Sequence, residues 1–166
     1  MMRTSRANPQ PPINRPSTAH MERPQAQPRS AYARLSTIST RWMDNDVYGH
    51  VNNVVYYSYF DTAVNAYLIE AGVLDIHGGE VIGLVIETHC NFFASLAFPR
   101  PVTAGIRVAH IGKSSVRYEI GLFDDGADMA AACGHFVHVY VDRESRRPVP
   151  LPEPLLDALR ALQMPA

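Results

Sequence analysis

Between Arg41 and Asn53 the chain carries two carboxylates, Asp44 and Asp46, then Gly49, His50 and the adjacent pair Asn52 and Asn53, directly ahead of an apolar run. Asn52 and Asn53 stand where helix-capping residues belong, and a cap alone contributes about 1 kcal/mol. The start of a long helix also carries unpaired N–H groups and a partial positive charge. A carbonyl oxygen held there is polarised towards an oxyanion. A carboxylate a few residues upstream is the natural partner for that electrophile. Asp44 and Asp46 project to the same side if the segment is extended and diverge if it turns at Asn45, so spacing alone does not choose between them. The plainer role for both acids is to complement the helix dipole. Gly49 allows a tight bend before the helix, and His50 is either an acid/base group or a loop hydrogen-bonder.

The elements that must position these groups are legible around them. After the loop, VVYYSYFDTAVNAYLIEAG is apolar or aromatic nearly all the way round, with Ser58, Asp61, Thr62 and Asn65 on one narrow stripe at helical spacing. This predicts a largely buried helix over 53–71 that stops at Gly72. A strand-like LSTISTRW precedes the loop. Four strand patterns follow the helix: VIGLVIETHCNFF, VTAGIRVAHI, SVRYEIGLF and MAAACGHFVHVYV. In the first, Ile82, Leu84, Ile86, Cys90 and Phe92 are expected on one face, with Glu87, His89 and Asn91 on the other. Short joins at Pro99 and Pro101, GKS and DDGAD predict an antiparallel meander, and LPEPLLDALRAL reads as a short amphipathic helix. One long apolar helix and such a sheet predict an α+β hotdog fold, in which an antiparallel sheet of five or six strands wraps the central helix. Its edge strand and uncovered helix face favour pairing with a second copy.

Composition sets the remaining bounds. A chain of 166 residues fits a single core. Residues 1–30 are Pro-, Gln-, Arg- and Ser-rich, with five arginines against one acid. They are expected to be a disordered tail ahead of one domain over 31–166. Beyond residue 30, ten basic and fifteen acidic residues remain, which disfavours nucleic acid as a partner. No apolar run reaches the roughly 18–20 residues of a membrane span. Cys90 and Cys133 stand alone without metal-ligand spacing, which suits a reducing cytoplasm. His135 and His138 are three apart on a strand, point to opposite faces and cannot share an ion, so no metal is expected. Ser114 lacks a G-x-S-x-G context.

The stretch from Asp44 to Asp61, D-x-D-x-x-G-H-V-N-N-x-x-Y-x-x-Y-F-D, resembles the signature of the 4-hydroxybenzoyl-CoA thioesterase-like branch of hotdog acyl-CoA thioesterases, and the likeness extends over about 34–150. The resemblance implies hydrolysis of acyl- or aroyl-CoA with no separate cofactor, coenzyme A being part of the substrate. It places the catalytic carboxylate, nucleophile or general base, on Asp46 and the carbonyl-polarising backbone amide on Asn53. Asp61 matches an acidic position further into the helix, where it orders a water or the loop; relatives often carry an arginine a turn later, where this chain has Asn65. Gly49, Asn52 and Tyr56 then border the substrate. Coenzyme A phosphates would meet Lys113, Ser114 and Ser115 in their Gly-led turn, Arg117, or Arg143, Arg146 and Arg147. Tyr57, Tyr59 and Phe60 either line an acyl pocket or belong to the core. A homodimer or a dimer-of-dimers is expected. The rival readings are a hotdog acyl-thioester dehydratase or hydratase with His50 as base, and a non-catalytic acyl-CoA-binding protein; an acyl carrier protein is the alternative thiol carrier.

Overall fold

The computed structural model describes residues 23–165. Strand β1 (Arg34–Ile38) precedes helix α1 (Asn53–Glu70). Strands β2 (Val81–Phe92), β3 (Val102–Ile111), β4 (Ser115–Phe123) and β5 (Ala132–Asp142) follow, and helix α2 (Glu153–Arg160) comes last. The five strands form one antiparallel sheet in the order β1-β3-β4-β5-β2, with α1 packed against it in the hotdog arrangement. Among the described residues no helix is long and apolar enough to cross a membrane.

Helix α1 forms because its 18 residues include neither glycine nor proline, the Asn52 side chain caps its start, and Gly72 at φ +71° ends it. It is about 27 Å long at 1.5 Å per residue. Tyr56, Tyr59, Phe60, Ala63, Val64 and Leu68 recur at intervals of one to four and are buried against the sheet. Ser58, Asp61 and Thr62 are exposed, so the polar stripe marks the side the sheet leaves open. Phe60 is fully buried, and its ring lies directly on the β5 backbone at Gly134, where a Cβ would come within 2.4 Å of the ring and of the His89 carbonyl oxygen.

Three expectations are corrected. The meander holds only for β3, β4 and β5: β2 crosses to the far edge and pairs with β5, because the nine residues between β2 and β3 are a crossing and not a hairpin turn. The faces of β2 also switch partway along. Val85 pairs with His138 and Glu87 with Val137, which leaves Ile86 as a bulge. Gly83 and Val85 therefore face inward with Thr88, Cys90 and Phe92, while Ile82 and Leu84 face outward. Finally, residues 1–22 of the expected tail lie outside the described residues, but its end is attached to the sheet. Gln27 O accepts from Ala130 N at 2.9 Å, Arg29 N donates to Asp128 O at 3.0 Å, and Pro28 bridges Met129. The Tyr32 ring then covers the outer sheet face, seated on Gly105 and Gly121 beside Phe123 and Ala130.

The loop into α1 is clamped by a buried carboxylate. Asp44 is 1% exposed. It accepts from the Tyr59 hydroxyl at 2.7 Å, the Arg41 amide at 2.7 Å and the Arg41 guanidinium at 3.0 Å. Its backbone O accepts from Asn52 N at 2.8 Å. Burial pushes this carboxyl's pKa up, but the donors from Tyr59 and Arg41 outweigh it and hold the value below the ordinary carboxylate range. A depressed folded-state pKa means stability that is present above the unfolded value and lost as pH falls through the folded one.

Two outcomes follow. Gly134→Ala is expected to cost about 1–3 kcal/mol by urea denaturation, because the backbone it meets cannot withdraw. Asp44→Asn is expected to be less stable than the parent by about 2 kcal/mol at neutral pH, with the gap closing as pH is lowered below the carboxylate range; a pH-independent gap would contradict the ionised clamp.

Candidate active site

Asp44 and Asp46 diverge. The first ends a short 3-10 turn (Trp42–Asp44) and points into the core beneath Tyr59. Asp46 sits in a tight hairpin closed by an Asn45–Val51 bridge, in which Asp46 N donates to His50 O at 2.8 Å and Gly49 N to Asp46 O at 3.2 Å. Gly49 has φ +84°, a left-handed conformation that side-chain-bearing residues rarely adopt. Val51 N donates to Leu96 O, and Phe98 N to the Asn45 side chain, so the hairpin is fixed at its base. One Asp46 carboxylate oxygen accepts from Tyr48 N at 2.8 Å; the other has no protein partner among the described residues.

The helix start presents the complementary group. Asn52 accepts from Val54 N through its side chain at 3.2 Å and from Val55 N through its carbonyl at 2.9 Å. Those two amides are consumed by the cap. The Asn53 amide has no acceptor among the described residues, which leaves one N–H free at the electropositive helix end. Asp46, His50, Asn53 and Tyr56 border one cavity of about 380 Å³, closed on the far side by Phe92, Phe93 and Ser95. Tyr56 is buried, stacks edge-on against Phe92 at 4.9 Å, and its hydroxyl accepts from Leu96 N at 3.3 Å. Burial raises its pKa, so the phenol is neutral at pH 7. A carboxylate and a free amide thus share one water-accessible cleft with an aromatic wall, an arrangement that can hold a carbonyl between a base and an oxyanion donor.

Other sequence-predicted residues lie elsewhere in the chain. Asp61 is exposed on α1, accepts from the Asn65 side-chain amide at 3.0 Å, and borders a separate cavity with Tyr57, Ser58, Val85 and Thr88. Tyr59 and Phe60 are core. Lys113 and Ser114 lie in the β3–β4 turn and Ser115 opens β4, the turn being tied down by Leu151 N to Lys113 O at 3.1 Å and Tyr140 N to Ser114 O at 2.7 Å. Ser115 pairs with Val139, which pairs with Leu84, eight residues along β2 from Phe92. That is about 26 Å at strand rise, so one chain does not bring this turn to Asp46. Arg117 is on the outer sheet face between Glu87 and Glu119, at 3.7 and 3.8 Å. Arg143 donates to the carbonyls of Gly79 and Ile76, at 2.5 and 3.0 Å. His135 lies on the outer face against Glu87 at 2.8 Å, while His138 is buried inside. Sequence reasoning missed the Phe92–Ser95 wall, whose only signal was a pair of adjacent phenylalanines at a strand end.

Comparison with known proteins places this geometry in context. The sequence pattern of the thioesterase-like superfamily matches residues 40–159. The crystal structure of the PA5185 protein from Pseudomonas aeruginosa strain PAO1 is 58% identical, with a TM-score of 0.82, covering 84% of this chain and 97% of that one. A 1,4-dihydroxy-2-naphthoyl-CoA thioesterase from Synechocystis superposes at TM-score 0.70 with 16% identity, covering 79% of this chain and 98% of the other. A gentisyl-coenzyme A thioesterase, BH1999, superposes at 0.67 with 22% identity, covering 76% and 99%. These last two likenesses speak to the fold. No curated protein matches the sequence. With its hotdog sheet, its central helix and a match running through both, the chain belongs to the thioesterase-like superfamily and is a thioester hydrolase by class.

Proposed function

We propose that the protein hydrolyses the thioester of acyl- or aroyl-CoA to the free acid and coenzyme A, with Asp46 as nucleophile or general base and the Asn53 amide polarising the carbonyl. The observation that carries this reading is the cleft itself: a carboxylate with an unengaged oxygen and an unengaged helix-end amide on one cavity. As a base, Asp46 takes a proton from water as its oxygen adds to the carbonyl carbon. As a nucleophile, it forms an acyl-aspartyl anhydride that water then opens. On either route negative charge grows on the carbonyl oxygen, where Asn53 N–H donates, and the C–S bond breaks to release the thiolate, which takes up a proton. The reaction needs protein and water alone, so no further cofactor is invoked.

The assembly is part of the proposal. Strand β2 has one free edge, and Leu84, Val85 and Ile86 are 38%, 50% and 66% exposed. Trp42, Met43, Val47 and Tyr48 add exposed apolar surface beside the helix tip. Antiparallel pairing of β2 with its copy would complete the sheet as a homodimer, which can pair again as a dimer-of-dimers. It would set the second copy's 112–115 turn at the Asp46 end of the first. Lys113, Ser114 and Ser115 would then meet the coenzyme A phosphates across the interface, which a single chain cannot arrange.

Asp46→Asn is expected to lower kcat on acyl-CoA at least about 10²-fold with the fold intact, while His50→Gln retains most of it; the reverse pattern would favour the hydratase chemistry. In single turnover in ¹⁸O-water, label in the Asp46 carboxylate would establish the nucleophile route with water opening the anhydride at the aspartyl carbonyl, since the base route never labels the protein. In light scattering, Leu84→Lys with Ile86→Lys is expected to reduce a dimer or larger species to monomer; a monomeric parent would remove the β2 interface.

A further inference from the structure

Two of the side chains that bury α1 carry hydroxyls. Tyr56 and Tyr59 stand three apart, on one face of the helix, and each is 3% exposed. Phenylalanine would cover the same apolar area at either position. A hydroxyl taken out of water is costly unless it is paired, so the partners of these two oxygens show what the hydroxyls add. Neither partner belongs to the sheet. The Tyr56 hydroxyl accepts from Leu96 N at 3.3 Å, and the Tyr59 hydroxyl donates to the Asp44 carboxylate at 2.7 Å. Burial and then the Asp44 bond push the Tyr59 pKa up, so this phenol keeps its proton and stays a donor at neutral pH.

Each gripped segment in turn holds one residue of the helix entrance. Leu96 is fully buried in the β2–β3 crossing, where its N–H and C=O have no ladder to join. Tyr56 satisfies the first, and Val51 N donates to the second at 2.8 Å. Asp44 ends the 3-10 turn Trp42–Asp44, and its carbonyl oxygen accepts from Asn52 N at 2.8 Å. The two routes therefore leave the helix from adjacent turns, pass through different segments of the chain, and return at consecutive residues, 51 and 52.

Those residues stand just ahead of the Asn53 amide. The peptide unit that bears this N–H has its carbonyl, Asn52 O, tied to Val55 N at 2.9 Å, and one unit back the Asn52 N–H is tied to Asp44. With both ends held, the plane between them cannot turn, and the Asn53 N–H keeps one direction. Neither route occupies that N–H, and neither hydroxyl needs to touch the carbonyl under attack. Turning the plane would carry the donor away from the developing oxyanion, and a misplacement of about 1 Å can cost about 10²-fold in rate.

We infer that Tyr56 and Tyr59 are positioning residues for the oxyanion donor: acting through Leu96 and Asp44, their hydroxyls fix residues 51 and 52 and thereby the direction of the Asn53 N–H. The inference rests on the thioesterase reading above and adds two residues that set its rate from inside the core.

The test begins with a panel of acyl-CoAs from acetyl to palmitoyl, together with benzoyl-CoA, and takes kcat and KM on the parent's best substrate. Tyr59→Phe and Tyr56→Phe are each expected to lower kcat about tenfold, with KM within about threefold. Leu159→Ala, which empties a fully buried position on α2 and destabilises the fold elsewhere, is expected to keep kcat within about twofold. Hydrogen exchange read at single amides is expected to show the Asn52 N–H less protected in Tyr59→Phe and the Val51 N–H less protected in Tyr56→Phe, with the β3–β4 ladder as in the parent. An unchanged kcat in either folded Phe variant, a loss carried by KM, or an equal fall in Leu159→Ala would overturn the inference with the thioesterase reading intact. If no member of the panel is hydrolysed, that reading fails instead, and exchange alone decides the relay: selective loss of protection at those two amides upholds it, and unchanged protection overturns it.

Discussion

A helix can keep one of its first amides free only if something other than that amide fixes where the helix begins. Here the burden falls on Asn52 and Asp44. Asn52 takes the amides of Val54 and Val55, and its own N–H is held by the Asp44 carbonyl. The Asp44 carboxylate is in turn held by Tyr59, two turns along the same helix, and by Arg41. The clamp ties the incoming loop to the helix it precedes. It fixes the position of Asn53 N–H without occupying it, which is the condition for preorganised charge stabilisation. The two aspartates of the opening motif are therefore a division of labour, one buried to hold the frame and one left in the cleft.

Much of this was legible because it is local. Capping residues, a glycine in a bend and an 18-residue run without helix breakers all act within a few positions, and the helix lies where the pattern places it. The choice between Asp44 and Asp46 was not legible, since it depends on a 3-10 turn and on Tyr59 arriving from the helix. Strand β2 failed for a related reason. Alternation assigns faces correctly only until a residue is inserted into the ladder, and the bulge at Ile86 has no sequence mark. The non-meander position of β2 is a long-range property: its partner β5 lies some fifty residues further on. Phe92, Phe93 and His138 border their cavities because of that pairing, so no window around the motif could have found them.

The bulge also shapes the cavities. By turning Gly83 and Val85 inward, it sets a residue without a side chain opposite Tyr140 and beside His138. Strict alternation would have put Leu84, not Gly83 and Val85, on the face opposite Tyr140 and His138. The opening between α1 and β2 is thus built by backbone register, with the helix contributing its polar stripe and the sheet contributing an absence of bulk.

The segment that precedes β1 bears on higher assembly. Tyr32, wedged over Gly105 and Gly121 with Phe123 beside it and its hydroxyl directed at Cys133, covers the middle of the outer sheet face from β3 across to β5. Beside it on the same face stand Glu87, Arg117, Glu119 and His135, so a second sheet stacked back to back on this one would meet charged groups around a covered apolar centre. Contacts between layers would then be ionic in the main, and their strength would fall as salt is added.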